Sequence, residues 1–195
     1  LLINASGDGL DANGSIIING GYIVVLGPTS DGDTAIDYDD SCTINGGTVM
    51  AFGSSGMLEI PKGASNGACI VTAFTSVSGG SKYTLSDSNG NEILSYTPSK
   101  AYAAAIVYSD KITTGNTYNI TAGSTTLSIE VTSDVTSNVS SGFGGAGGMN
   151  KPGNGGSGMP NNGSSDNGMN GNSNGSMPDM LGNGAPDMNG NSSGD

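Results

Sequence analysis

Short runs of alternating apolar and polar residues fill the first sixty positions, and one such run comes twice. The run "SIIINGGYIVVLG" starts at Ser15 and "SCTINGGTVMAFG" starts at Ser41, so Ile18 and Ile44 are 44 − 18 = 26 residues apart. A fixed period in the twenties is typical of solenoids. Because the unit is rich in Gly, Asn and β-branched residues, we predict three short strands in the first unit, around 10–12, 15–18 and 22–26. The pattern indicates an all-β fold that begins with coils of a parallel β-helix.

Alternation within the two units assigns side chains to the inside or the outside of the coils. The predicted inner rows place Ile16, Ile18, Ile23 and Val25 over Cys42, Ile44, Val49 and Ala51. The outer row from Tyr22 to Leu26, stacked on the row from Thr48 to Phe52, is unusually apolar for an exposed wall. Two explanations stay open: the following segment covers this row, or the row is a binding surface.

The period stops near residue 67, and strands separated by turn signals follow. We predict strands at Ala68–Val77, Lys82–Ser86, Glu92–Tyr96, Tyr102–Tyr108, Thr117–Thr121 and Thr125–Val131. Asn89-Gly90 between two of them is a hairpin signal. A repeat array leaves an unpaired strand edge at its end, so we interpret this segment as an antiparallel cap. The predicted organisation is coils over 1–66 and a cap over 67–141.

The last part of the chain has a different composition. Residues 142–195 contain 17 Gly, 11 Asn and 7 Ser in 54 positions, with six scattered Met and few other apolar residues. Such a segment buries too little apolar surface to offset the entropy of ordering. We therefore predict a low-complexity, disordered tail over 142–195. The chain also starts inside the repeated pattern, from which we expect further coils upstream in a longer protein.

Charge narrows the possible partners. The net charge is −12 at pH 7, and the chain has no Arg and no His. A field of this sign repels phosphate backbones, so we expect no nucleic-acid partner. No segment has the 18 or so apolar residues of a membrane span, and none is expected in this chain. The two cysteines, Cys42 and Cys69, are compatible with a disulfide or with free buried thiols.

Acidic residues cluster in the repeated region. Stacking the two units places Asp11 over Asp37, on strands about 4.8 Å apart, where two carboxylates repel unless a cation or a proton intervenes. The same corner gathers six candidate metal ligands: Asp8, Asp11, Asp31, Asp33, Asp37 and Asp39. An all-oxygen site without His or thiolate suits Ca²⁺. The alternative is that Asp and Gly serve here as turn formers.

Several motifs in the same order resemble a family. "SGDGLDANGSIIINGG", "SDGDTAIDYDDSCTINGGTVMAFGSSGM", "DSNGNEILSYTPSKAYAAAIVYS" and "GNTYNI" are similar to the carbohydrate-binding domain of secreted bacterial polysaccharide-binding β-helix proteins. The resemblance covers roughly residues 3–120. It implies a right-handed parallel β-helix that binds calcium and adheres to plant cell-wall polysaccharide, either cellulose or acidic pectic glycans. By motif, the implied calcium ligands are Asp8, Asp11, Asp31, Asp33 and Asp37.

The expected function is therefore non-catalytic carbohydrate binding, outside the cell or at the bacterial cell surface, with Ca²⁺ as cofactor. Tyr22 and Phe52, on the apolar outer row, are the candidate carbohydrate contacts. The alternatives are a structural or adhesive surface protein and a fragment of a polysaccharide lyase. A lyase needs a basic residue beside its metal, and no Lys precedes Lys62. The sequence leaves the glycan and the oligomeric state open.

Overall fold

The computed structural model describes residues 1–139, which form an all-β fold without a helix in that range. Its strands are β1 (Leu2–Asn4), β2 (Leu10–Ala12), β3 (Ser15–Ile18), β4 (Tyr22–Leu26), β5 (Ile36–Tyr38), β6 (Ser41–Ile44), β7 (Thr48–Gly53), β8 (Gly63–Ala64), β9 (Ala68–Val77), β10 (Tyr83–Asp87), β11 (Glu92–Tyr96), β12 (Tyr102–Ser109), β13 (Thr117–Ala122), β14 (Thr125–Glu130) and β15 (Val135–Ser137). The predicted tail over 142–195 lies outside the described residues.

Three parallel strand pairs carry the repeat. In β2–β5, β3–β6 and β4–β7 each residue pairs with the residue 26 positions later, as Ile18 does with Ile44. The period in the sequence is thus confirmed as a strand register. β1 pairs with β4 at the shorter offset of 24 − 2 = 22, because the loop 5–9 before β2 is four residues shorter than the loop 27–35 before β5.

The largest sheet is mixed, with the strand order β1-β4-β7-β12-β9-β15. β12 runs antiparallel to both β7 and β9, and β15 returns parallel to β9. The expectation of a parallel β-helix is therefore not confirmed, since the described sheets as a whole do not make a solenoid. The physical reason is that β12 occupies the free edge of β7 in the antiparallel direction, where a further parallel coil would otherwise pair.

The segment after residue 67 adds a four-stranded antiparallel sheet in the order β11-β10-β13-β14. The six strand predictions for this segment are confirmed, with each end within one residue of the observed strand. The Asn89-Gly90 hairpin is confirmed as well, and Gly90 adopts a φ of 86°. Turn residues located these strand ends because four of the five connections contain a glycine with a positive φ: Gly80, Gly90, Gly115 and Gly123.

Two hydrophobic cores lie on the two faces of the six-stranded sheet. The inner core contains the predicted inner row, including Ile18, Val25 and Ile44. The outer core lies between this sheet and the four-stranded sheet, and it buries Val24 and Phe52 from the apolar outer row. Of the two explanations for that row, cover by the following segment is confirmed for Val24, Leu26, Met50 and Phe52, whereas Tyr22 at the start of the row stays exposed.

Candidate functional site

The aspartate corner forms where β2 and β5 pair. Asp11 and Asp37 are register partners there. The pKa of Asp37 is raised, first by partial burial and then by the negative charges of Asp8, Asp11, Asp39 and Asp33. Five of the six predicted acids, Asp37 and the four whose charges act on it, therefore gather at this corner.

Two of the aspartates are engaged with backbone amides of neighbouring loops. The Oδ1 atom of Asp8 accepts a hydrogen bond of 2.8 Å from the backbone N–H of Thr34. The Oδ1 atom of Asp31 accepts one of 3.1 Å from the N–H of Gly56. Each carboxylate thus ties one corner loop to the loop that stacks on it. This is the structural role that turn-forming aspartates have. Asp31 is the one predicted ligand that is not among the charges acting on Asp37, and its hydrogen bond to Gly56 gives it such a structural role.

Glu59 belongs to the same corner and was missed from the sequence. Its Oε2 atom accepts a hydrogen bond of 3.0 Å from the N–H of Tyr38. Burial raises the pKa of Glu59, the Tyr38 N–H lowers it, Asp37 raises it, and Lys62 lowers it. Glu59 lies in the loop between β7 and β8, outside the repeated units, so the period of 26 gave no signal for it.

Calcium fits this corner poorly in the conformation observed. Within residues 1–139, no three Asp, Glu, Cys or His side chains converge in an arrangement that holds a metal ion. Asp8 and Asp31 already use one oxygen each for a backbone amide. The fold gathers the acids but does not arrange them as a coordination shell, so the observed conformation does not present a ready calcium site.

The two candidate carbohydrate contacts have different surroundings. The Tyr22 side chain is 56% exposed, whereas Phe52 is 2% exposed. The Phe52 ring packs against Tyr83, Tyr96 and Tyr102, at centroid distances of 5.4, 6.0 and 5.1 Å. A ring enclosed by three others has no free face for a sugar, so the prediction for Phe52 is wrong. The physical reason is that the four-stranded sheet covers the end of the outer row that contains Phe52 and leaves the end that contains Tyr22 exposed.

The outer face of the sheet β3-β6-β8 carries hydrogen-bonded rows of polar side chains. The Ser41 hydroxyl donates to the Ser15 hydroxyl at 3.0 Å. The Asn45 amide donates to the Oδ1 of Asn19 at 2.9 Å and accepts from the Ser65 hydroxyl at 2.9 Å. These ladders hold hydroxyl and amide groups in fixed positions on an exposed surface, which we call the ladder face.

A polar cleft lies on the four-stranded sheet, next to the hairpin between β10 and β11. It has a volume of about 240 Å³ and is lined by Asp87, Asn89, Lys111 and Asn116 among others. The pKa of Asp87 is lowered by hydrogen bonds from the side chain and the backbone of Asn91. Because these bonds use both oxygens of Asp87 within its own turn, the carboxylate has a structural role.

Cys42 and Cys69 are buried free thiols. Of the two alternatives left open by the sequence, the free form is the one observed. Burial raises the pKa of Cys42 to about 11, which keeps it protonated and unreactive at neutral pH. Both thiols pack in the inner core as small apolar side chains.

No helix in the described part of the chain is long and apolar enough to cross a membrane. The features with exposed chemistry are the aspartate corner, the ladder face with Tyr22 beyond its corner, and the polar cleft. Comparisons with protein-family models, with curated proteins and with solved structures found no match to this chain.

Proposed function

We propose that this chain is a non-catalytic carbohydrate-binding module that adheres to plant cell-wall polysaccharide outside the bacterial cell or at its surface. The observation that carries the proposal is the ladder face. Its hydroxyl and amide groups are held by the sheet and by each other, so a glycan would meet donors and acceptors already in place. Preorganised polar groups lower the entropy cost of binding, which favours recognition of an extended polyhydroxylated chain.

Exposed apolar side chains on the ladder face and just past its corner support this proposal. Ile17, which points outward from β3, is 63% exposed, and Tyr22 follows the corner that contains Asn19. Sugar rings combine polar edges with apolar C–H faces, so a surface that alternates hydroxyl groups with exposed apolar side chains suits them. Tyr22 keeps its predicted role in the proposal as the aromatic contact.

The test is retention on cellulose and on polygalacturonate. We expect the wild-type chain to be retained by at least one of them, and Ile17→Glu and Tyr22→Ala to weaken binding about tenfold each, as the loss of roughly 1.4 kcal/mol would do. Thr126→Glu, on the exposed side of β14, is the matched charge control and should bind as wild type. Equal retention of all three variants, or no retention of the wild type, would contradict the proposal.

We also propose that Ca²⁺ binds weakly at the aspartate corner. The support is the gathering of Asp8, Asp11, Asp33 and Asp39 around Asp37. After burial, their negative charges raise the pKa of Asp37, and a cation would relieve that repulsion. Since Asp8 and Asp31 would have to leave their backbone donors, we expect a dissociation constant near the weak end for extracellular calcium sites, about 10⁻⁴–10⁻³ M.

Calorimetric titration with Ca²⁺ tests this, with Mg²⁺ as the control ion. Saturating calcium should raise the melting temperature and EDTA should reverse the rise, because an ion that binds only the folded state stabilises it. Asp37→Asn should abolish the response. No heat and no change in melting would show that these aspartates have structural roles only.

The second candidate is a fragment of a polysaccharide lyase, because the structure places Lys62 near the acids of the corner, where its charge lowers the pKa of Glu59. Lys62 Nζ donates to the backbone carbonyl of Asp40 and lies 5.6 Å from the centre of the Tyr38 ring. An ammonium group held this way is a donor and does not act as the free base that proton abstraction needs. Formation of unsaturated product from polygalacturonate with calcium, lost in Lys62→Ala, would favour this candidate over simple binding.

The architecture we propose for residues 1–53 is that of right-handed parallel β-helix coils joined to a mixed sheet. The shared register of 26 in three separate sheets supports it. Duplicating residues 15–40 in tandem should insert one further coil, and the longer chain should fold with an unchanged far-ultraviolet spectrum per residue and an equal or higher melting temperature. Aggregation or loss of cooperative melting in the duplicated chain would count against it.

A further inference from the structure

Among residues 1–139, four side-chain hydroxyl groups are buried without a hydrogen-bond partner: that of Thr34 and a group of three, those of Thr72, Tyr83 and Tyr102. Thr72 and Tyr83 are 0% exposed and Tyr102 is 3% exposed. All three lie where the four-stranded sheet packs on the six-stranded sheet. Most buried polar groups in proteins are hydrogen-bonded to protein or to ordered water, so three such groups in one region call for a physical explanation.

The two tyrosines share the same neighbours. The Phe52 ring centroid is 5.4 Å from that of Tyr83 and 5.1 Å from that of Tyr102. The Phe74 ring is 6.5 Å from Tyr83 and 6.0 Å from Tyr102. The four rings therefore form one cluster, and it brings both phenol groups into the same part of the core.

Thr72 faces the same cluster. Phe52 pairs with Ala105 across β7 and β12, and Ala105 pairs with Thr72 across β12 and β9, so the three side chains form one row on the outer face of the sheet. Burial raises the pKa of Tyr83, and the nearby Thr72 hydroxyl partly offsets that rise. Thr72 and Tyr83 are thus neighbours, although their hydroxyls do not reach hydrogen-bond geometry.

A small side chain and an irregular strand register lie beside these groups. Ala105 is the smallest side chain of the row and lies between Phe52 and Thr72. The register also shifts beside it: β12 advances by 104 − 102 = 2 residues while β9 advances by 77 − 73 = 4. A bulge of this kind bends its strand and interrupts close pairing.

We propose that this region is a binding site for one ordered water molecule, held by the hydroxyl groups of Thr72, Tyr83 and Tyr102. A buried water typically makes about three hydrogen bonds to polar groups that would otherwise be unsatisfied, and three hydroxyls supply that number. The bound water connects β9 and β12 of one sheet to β10 of the other. It acts as a polar link inside an otherwise apolar interface.

The sign of the stability change in Tyr→Phe variants tests the site. If a water is bound, Tyr83→Phe and Tyr102→Phe each remove one of its partners, and each should lower the melting temperature by about 3 °C. If the hydroxyls are unsolvated, removing one eliminates a buried unsatisfied group, and the melting temperature should rise or stay unchanged. Tyr108→Phe is the control for a direct bond, because its hydroxyl donates to the Ser65 carbonyl at 2.6 Å.

The double variant and a direct measurement complete the test. In the double variant Tyr83→Phe/Tyr102→Phe, the change in melting temperature should differ clearly from the sum of the two single changes. The effects are not additive because both hydroxyls share one ligand. Water–protein nuclear Overhauser effects to Tyr83 and Tyr102 should show a long-lived water in the wild type and none in the double variant. Additive effects, stabilised single variants or an absent water signal would overturn the proposal.

Discussion

Asp37 lies between negative charges that come from three parts of the chain. Asp11 is its partner on β2, Asp8 lies in the preceding loop, and the carboxylate of Glu59 accepts from the next residue, Tyr38. Both Asp37 and Glu59 have raised pKa values, with burial as the main cause. The folded protein therefore binds protons at this corner more tightly than the unfolded chain does.

This difference predicts a pH dependence. A carboxyl group with a raised pKa in the folded state makes the fold more stable as pH falls from about 7 towards about 4, because the folded state takes up its proton first. Asp37→Asn should remove part of this slope and, without calcium, raise stability near pH 7 by less than about 1 kcal/mol, since the site is partly exposed and screened. Melting curves across this pH range are the measurement.

Asp110→Asn, with the same charge change in the segment after β12, is the control for net charge. We expect it to leave the slope nearly unchanged, because Asp110 is not among the charges that act on Asp37. A loss of slope equal to that of Asp37→Asn would indicate a general effect of the −12 net charge instead of repulsion at the corner.

At the scale of the elements, corners hold the parallel strands in register. The strands of the first unit are only three to five residues long, so few ladder hydrogen bonds define each pair. Between β6 and β7 the chain turns at Gly47, with a φ of 89°, directly beside the equivalent Gly21, with a φ of 97°. A Cβ atom on Gly47 would lie 2.3 Å from the carbonyl oxygen of Gly21, which allows the two corners to stack only if Gly47 has no side chain.

Alanine substitutions at the two glycines separate backbone strain from steric overlap. Gly21→Ala should cost about 1–2 kcal/mol, the penalty of a left-handed conformation, because nothing lies within 4 Å of its added Cβ. Gly47→Ala carries the same strain plus a clash with backbone atoms, so we expect a loss of more than about 3 kcal/mol. Urea unfolding measures both. Equal losses would show that the corners are free to separate.

At the scale of the whole molecule, the segment after residue 67 covers the repeated units and also fastens their first loops. Lys100 follows β11, and its ammonium group donates hydrogen bonds to the backbone carbonyls of Ala5 and Gly27. Those carbonyls belong to two successive corner loops. A single lysine therefore bridges the first unit, its neighbour and the later segment, across 95 residues of sequence.

Lys100→Met keeps the length and apolar stem of the side chain but removes both charged hydrogen bonds. We expect a loss of about 2 kcal/mol and faster amide exchange in β1 and β4, since these strands adjoin the released loops. Lys111→Met is the matched control: its ammonium makes no hydrogen bond to the residues described here, and its change should stay within about 0.5 kcal/mol. Unaltered exchange in β1 would contradict this role of Lys100.

The sequence by itself determined the features that depend on local pattern. The offset between Ile18 and Ile44 predicted a strand register, because a side chain one period later must meet the same environment. Alternation predicted the inner row, and turn residues predicted the strands after Ala68 to within one residue. The gathering of Asp11 and Asp37 followed from the same register, which is why much of the candidate corner was accessible without a structure.

Tertiary structure decided what depends on contacts between distant segments. Phe52 looked like an exposed aromatic in its unit, and only packing against Tyr83, Tyr96 and Tyr102 made it core. Antiparallel pairing of β12 with β7 turned the expected solenoid into a mixed sheet. Glu59 and Lys100 reached their partners through loops whose lengths depart from the period. A period specifies how neighbouring units stack, whereas the choice of what covers a face is made by the free energy of packing whole segments together.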